Sequence, residues 1–418
     1  MAGSARKGAV WLLGQVLGEG RLMSELTVAP QHQKLDPADR ARAQRLALEV
    51  LRGLERADRV LKPFLRKMPP LAVRNVLRLA TVELCAGGDA HGVVNEAVEI
   101  TRAGKRTSAY GGLVNAVLRK VAGEGPAKWA ALRVPHLPKW LRSPLVAAWG
   151  AEAVKAMEAV QYSGAPLDLT VKADAAGWAE RLGGEVLPTG SVRLASPGQV
   201  SALPGFATGD WWVQDAAAAL PVRGLGDVRG LSVLDMCAAP GGKTLQLAAG
   251  GAEVTALDVS GARLARVSEN LARMGLSAQV VEGDALAAEG SFDAIVLDAP
   301  CSATGTIRRH PDLPLARSGE EIGGLIALQV EMLDHALTLL KPGGRLIYCT
   351  CSLLPDEGEC QVDEALERHP GLTVVPGAFD LPGVEPGWRS EEGGLRLRPD
   401  FWAARGGMDG FYMACLTR

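Results

Sequence analysis

Apolar residues in the first 125 positions recur at helical spacing. Val10, Leu13, Val16 and Leu17 form one stripe, and Leu46, Val50, Leu51 and Leu54 a second. Val73, Val76, Leu77, Ala80 and Leu84 make a third, and Leu113, Val114, Val117, Leu118 and Val121 a fourth. Stripes three and four residues apart place one apolar face per helix against a common core. Asp36-Pro37 reads as an N-cap with proline at the first helical position, and Asn95 as the cap of a helix over 96–103. Pro69-Pro70 separates two of the stripes, and Gly123-Glu124-Gly125-Pro126 reads as a domain boundary.

The pattern changes twice after that. Residues 126–220 predict a helical stretch near 140–160 and then short strands at 167–172, 191–194 and 211–214, a small α+β module. From residue 221 strands and helices alternate, the signature of a mostly parallel sheet. Strands are predicted at 232–236, 253–258, 278–282, 292–298, 344–348, 372–375 and 411–416, with helices over 244–249 and 262–274. No helix separates the final strand from the loop before it, so an antiparallel closing strand is expected. The predicted fold class is α/β, in three parts: 1–125 helical, 126–220 connecting, and 221–418 a Rossmann-like sheet.

The chain has 418 residues, a hydrophobic fraction of 47% and a net charge of −2. Residues 1–125 hold 20 Lys and Arg against 12 Asp and Glu, so the remainder carries about −10. A basic helical part beside an acidic body points to an anionic partner for the former. No apolar run long enough for a membrane span stands out, and the apolar stretch after Arg6-Lys7 is read as an amphipathic helix rather than a leader. A cytoplasmic protein with no membrane partner is expected. The cysteine number, 7, is odd, and Cys349-x-Cys351 lacks zinc spacing. Neither a disulfide framework nor a metal is expected.

Two motifs carry candidate chemistry. Strand 232–236 runs into Cys237-Ala238-Ala239-Pro240-Gly241-Gly242-Lys243-Thr244. Glycines at a strand-to-helix turn let a ligand approach the backbone. A P-loop would need glycine where Cys237 stands. Asp258 ends the next strand, where a carboxylate meets ribose hydroxyls, and Asp284 follows the third strand, where it can meet an adenine edge. A nucleoside without phosphates suits this set, and S-adenosylmethionine is the expected cofactor. The second motif is a pair of cysteines past two strand ends, Cys301 in Asp298-Ala299-Pro300-Cys301 and Cys351 in Thr350-Cys351-Ser352. A thiolate beside a methyl donor suits cytosine, because addition at C6 makes C5 nucleophilic. Lys243 is a candidate neighbour for a thiolate, and Asp298 is placed to hold the base. The residues alone leave open which thiol attacks.

These motifs, with Arg308-Arg309-His310-Pro311-Asp312, resemble the Sun-type RNA 5-methylcytosine methyltransferases. Asn95-Glu96-Ala97-Val98-Glu99 and Val114-Asn115-Ala116-Val117-Leu118-Arg119 are similar to the NusB-like helical RNA-binding domain of bacterial members that act on 16S ribosomal RNA. The resemblance implies that Cys351 is the nucleophile and that Cys301 assists release of the adduct. It implies methyl-donor contacts from Cys237 to Lys243 and from Asp258, Asp284 and Asp298. Arg308, Arg309 and His310 are expected at the RNA backbone, and a monomer is expected. Two rival readings remain, the same reaction on transfer RNA and a non-catalytic RNA-binding module.

Overall fold

The computed structural model describes residues 4–195 and 197–418. They form two compact units. The first holds residues up to 146, then 151–163 and 307–318, and the second holds 147–150, 164–306 and 319–418.

The first unit is helical. Its longer helices are Ala5–Glu19, Pro37–Arg52, Leu71–Cys85, Ala90–Ala103, Gly111–Ala131, Lys139–Trp149 (to Val146 in this unit) and Ala151–Ser163. Leu12, Leu13, Leu46, Val50 and Leu79 fill one apolar cluster, and Leu77, Val93, Val114, Leu118 and Val121 fill another. Pro37 occupies a first-turn position, as its fixed φ favours. Asp89, not Asn95, caps the helix containing Asn95, accepting from Gly92 N at 2.7 Å. The expected boundary at 123–126 lies inside the helix Gly111–Ala131, with Pro126 within it. Gly125 is buried there, and a Cβ would come within 2.8 Å of Val121 and 3.3 Å of the Cys85 sulfur. The glycine serves close packing, not a turn. The stretch expected near 140–160 is two helices, parted by Gly150 at φ +82°.

The segment 307–318 reaches this unit from the C-terminal half of the sequence. Its short helix Leu313–Ala316 packs Leu315 and Ala316 on the first apolar cluster. Asp312 accepts from Met23 N at 2.8 Å, and Pro314 O accepts from Trp140 Nε1 at 3.2 Å.

The second unit carries two sheets. The smaller has strands β1 (Leu167–Val171), β2 (Glu185–Val186), β3 (Val192–Leu194) and β4 (Trp211–Val213), in the order β2-β3-β1-β4. The larger has β5 (Ser232–Met236), β6 (Glu253–Asp258), β7 (Gln279–Glu282), β8 (Phe292–Asp298), β9 (Leu340–Thr350), β10 (Thr373–Val374), β11 (Leu395–Leu397) and β12 (Phe411–Thr417). Its order is β10-β12-β9-β8-β5-β6-β7, with β11 also on β12. The pairs β9-β8, β8-β5, β5-β6 and β6-β7 are parallel, and β12 runs antiparallel to β9. Strand order reverses beside β5, so the crevice for a ligand lies beyond its carboxyl end.

Helix Ile322–Leu339 is long and apolar enough to cross a membrane by length and composition, a run not anticipated from the sequence. Its Leu333, Ala336 and Leu337 are fully buried in the core of the larger sheet with Ile295 and Leu346. Glu331 and Asp334 interrupt the run at the helical period, which is why the linear pattern concealed it.

One ion pair within the smaller sheet ties it to the loop before β12. Asp168 on β1 faces Arg193 on β3 in register, and both are buried. Arg193 donates to both carboxylate oxygens at 2.7 Å and to the carbonyls of Arg405 and Gly407. Asp168 also accepts from Ala216 N at 3.1 Å. Removing one partner strands a buried charge, so Asp168→Ala is expected to destabilise this unit by about 3–5 kcal/mol. Trp211 and Trp212 sit on the neighbouring strand, so tryptophan fluorescence in a urea titration reads the loss directly.

Candidate active site

Strands β8 and β9 pair in parallel with Leu297 opposite Tyr348 and Asp298 opposite Cys349. Both therefore leave the sheet at the same edge. The loops beyond continue the pairing, with Ala299 N donating to Cys349 O and Gly305 N to Cys351 O, each at 2.9 Å. The outcome is that Cys301 Sγ and Cys351 Sγ lie 3.5 Å apart, both half-buried. Close backbone contact supports the arrangement. A Cβ on Gly305 would lie 2.0 Å from the carbonyl oxygen of Gly410, so only glycine fits.

The thiol pair is electrostatically unequal. Its hydrogen bond to Cys351, together with burial, pushes the Cys301 thiol well up, and the charges of Cys351 and Glu357 add to this. Cys349, at the adjoining position, is fully buried and packs in the core, as its place within a strand led us to expect. Burial and Asp298 push its thiol up as well, and it donates to Asp298 Oδ1 at 3.6 Å.

Lys243 and Asp298 form the charged centre beside the thiols. Lys243 Nζ donates to Asp298 Oδ2 at 2.7 Å and stands 5.2 Å above the Phe411 ring. Burial opposes the lysine charge, but Asp298, Cys349 and Asp235 outweigh it and raise its pKa. The ammonium is a fixed cation in this site.

The cofactor loop curls over the ends of β5 and β6. Cys237 adopts φ +61°, a left-handed conformation uncommon for a side chain of this kind. Gly241 at φ +101° leads into the helix Gly242–Ala249, and a Cβ on it would press within 3.2 Å of Val267. Ala238 N donates to Leu257 O, and Arg263 donates to Ala239 O. Asp258 is buried at the end of β6 and accepts from Ala239 N at 3.1 Å and Ser260 N at 3.0 Å. Each carboxylate oxygen retains a second lone pair, so the group remains able to accept from hydroxyls. Asp284 is exposed after β7 and accepts from Leu286 N at 3.0 Å. Residues 237–243, Asp258, Asp284 and Asp298 thus lie at or just past the carboxyl ends of β5, β6, β7 and β8, with carboxylates for polar edges and a glycine turn for close approach. That donor and acceptor set fits a nucleoside cofactor without phosphates.

The expected RNA-contact run is not brought to this crevice's unit. Residues 308–310 belong to the helical unit. Arg308 is fully buried there, and its carbonyl accepts from Arg52 at 3.2 Å, so its guanidinium does not face a phosphate. Burial, with Arg309 and Arg52 nearby, lowers His310 to about 4, which makes it neutral at pH 7. Arg309 alone of the three is exposed.

Comparison with known proteins now adds a decisive observation. Residues 225–417 match the family described as 16S rRNA methyltransferase RsmB/F, and residues 3–123 match the NusB family. The chain is 37% identical to ribosomal RNA small subunit methyltransferase B of Klebsiella pneumoniae, covering 91% of this chain and 95% of that protein. The protein of the same name from Salmonella arizonae is 37% identical, covering 89% and 94%. The chain belongs to the RsmB/F family of 16S rRNA methyltransferases. Members of this family take the methyl group from S-adenosylmethionine. A solved methyltransferase homologue from Pyrococcus horikoshii, 28% identical, superposes with a TM-score of 0.56 over 67% of this chain and 94% of that one. An RsmB/F fold with a NusB-like helical part is the architecture inferred from the resemblance.

Sequence reasoning missed Glu357, Gln329 and Arg396, which knit the thiol loops together from below. An acid after Pro355 reads only as the first turn of a helix, and no local pattern marks it as buried.

Beneath the cofactor loop Asp235 is fully buried and accepts from Thr244 Oγ1 at 2.6 Å. Burial pushes its carboxyl from 3.8 up to about 7. A raised acid favours the folded state only while protonated. Its contribution is present below about pH 4 and is lost as pH rises to about 7, a fall of about 4 kcal/mol at most. Asp235→Asn keeps an acceptor for Thr244 and removes the buried charge. Its urea midpoint is expected to gain on the wild type at pH 8 relative to pH 5, and a gap that instead shrinks at pH 8 contradicts this.

Proposed function

We propose that the protein methylates C5 of one cytosine in 16S ribosomal RNA through a covalent adduct between Cys351 and C6 of the base. The observation that carries this reading is the 3.5 Å approach of two thiols beside the Lys243–Asp298 pair, at the edge where the cofactor loop ends. Family membership limits the chemistry to rRNA methylation, and the paired thiols favour a carbon of cytosine as the target.

In this mechanism Cys351 attacks C6 as a thiolate, the C5–C6 double bond opens, and C5 becomes electron-rich. Asp298 accepts the N4 amino hydrogen and orients the ring, while the Lys243 hydrogen bond holds Asp298 in place. Residues 237–243 would hold S-adenosylmethionine, with Asp258 at the ribose and Asp284 at the adenine edge, and it would supply an electrophilic methyl group. C5 bonds that methyl group as its bond to the sulfonium sulfur breaks, and S-adenosylhomocysteine is the leaving group. Cys301 Sγ then takes the C5 proton as the C6–S bond breaks, and its own proton passes to the departing Cys351 sulfur. One proton is released overall, the one Cys351 lost when it ionised. The target base must leave its stack to reach this crevice.

Arg309 and the basic helical unit meet the RNA backbone in this reading. Arg308 is fully buried, and Arg309 is the exposed member of the run. In this reading the protein acts in the cytoplasm as a monomer, and the chemistry calls for no metal.

Cys351→Ala is expected to reduce methyl transfer at least ~1000-fold and to form no adduct. Cys301→Ala is expected to form the adduct and release it slowly, leaving an RNA-linked band on a denaturing gel. Labelled S-adenosylmethionine, unmodified 16S RNA and a parallel tube of transfer RNA, followed by nucleoside analysis, read both points. The adduct surviving Cys351→Ala, or label confined to transfer RNA, overturns the respective part of the proposal.

A further inference from the structure

One fully buried carboxylate, Glu357, has no part in the chemistry just described. It ends the short turn Pro355–Glu357, which follows the Cys351 loop. Its Oε1 accepts from Ser302 N at 2.8 Å and Gln329 Nε2 at 3.1 Å. Its Oε2 accepts from Ser302 Oγ at 2.5 Å and Ser352 Oγ at 2.6 Å. Ser302 directly follows Cys301, and Ser352 directly follows Cys351. A single carboxylate thus accepts hydrogen bonds from the residue next to each thiol. Charge-assisted bonds of this kind are about twice as strong as neutral ones.

The carboxylate is itself held on every side. Its backbone carbonyl accepts from Thr350 Oγ1 at 2.9 Å and Tyr348 OH at 3.0 Å, both on β9. Gln329 also donates to Pro300 O at 2.8 Å, on the Cys301 side. Arg396 donates to Ser352 O and pairs with Glu359, two residues past Glu357. A Cβ on Gly358 would lie 2.8 Å from Tyr412, so the chain after Glu357 has no room to shift. The direct ties between the two loops are neutral: Gly305 N to Cys351 O, Leu353 N to Thr304 Oγ1, the Thr304 hydroxyl to Ser352 Oγ, and the thiol pair itself. Glu357 is the one charged acceptor bonded to residues of both loops among the described residues.

We propose that Glu357 is a positioning residue: its carboxylate holds the two thiol loops, and so Cys301 and Cys351, in contact. The inference rests on the proposed cytosine chemistry only for its effect on kcat, and the thiol geometry stands apart from it.

The test uses the full chain with Glu357→Gln, Glu357→Asp and Ser302→Ala. Phenylarsine oxide bridges two thiols only when they are close, and peptide mapping shows whether Cys301 and Cys351 are the pair. For Glu357→Gln the bridging rate and kcat are each expected to fall about 10–100-fold. KM for RNA and the Kd for S-adenosylhomocysteine should stay within about twofold, since the cofactor loop is untouched. Glu357→Asp keeps the charge on a shorter side chain and is expected to bridge faster than Glu357→Gln. Ser302→Ala removes one bond and is expected to lower bridging and kcat about fivefold. Wild-type bridging and kcat, within twofold, in both Glu357→Gln and Ser302→Ala overturn the proposal. Should Glu357→Gln lose cofactor binding through misfolding, Ser302→Ala alone decides by the same criterion. Bridging is read without RNA, so its loss in the variants upholds the geometric claim even if the wild type proves not to methylate cytosine.

Discussion

Everything at the active edge depends on the register between β8 and β9. Parallel strands leave a sheet in the same direction, so two loops distant in sequence emerge side by side. With Asp298 opposite Cys349, the thiols three residues past one position and two residues past the other are brought into contact. A slip of one residue would turn alternate side chains to the other face. Cys349 would leave the core and Asp298 would lose Lys243. Buried apolar partners on both strands, Ile295, Val296, Leu346 and Ile347 among them, make that slip costly.

Around this fixed edge the protein arranges charge in partly and fully buried surroundings. Lys243 bonds Asp298 while its charge also acts on buried Asp235. In such surroundings a hydrogen bond to a charged group gains strength, and an unmatched charge costs more. In the reaction proposed above one sulfur attacks and another manages protons, and both lie on a single scaffold edge at contact distance.

Much of this was legible in the chain. Apolar stripes gave the helical part, and alternation gave the sheet and its parallel core. The loop 237–244 and the two Pro-Cys and Thr-Cys motifs marked the crevice because each carries a local signature. What was not legible depends on contacts between distant positions. Glu357 resembles any acid in a first turn until Ser302 and Gln329, far away in sequence, close around it. Arg308 reads as a surface cation beside Arg309, yet folding turns it inward. Gly125-Pro126 has the composition of a linker, but a tight helix–helix approach needs that same missing side chain. Asn95 lost its capping place to Asp89 because the helix begins one and a half turns earlier.

The segment 307–318 has a consequence for descent. The helical unit is discontinuous in sequence: its small helix Leu313–Ala316 is supplied by the stretch just after the Cys301 loop, and Asp312 there closes on the amide of Met23. A graft of the first 163 residues onto an unrelated catalytic body would arrive with the slot for Leu315 empty and that amide bare. The two halves are therefore not interchangeable parts. Recombination at a single crossover cannot exchange one without the other, and substitutions lining that slot must be inherited together with those in the loop that fills it.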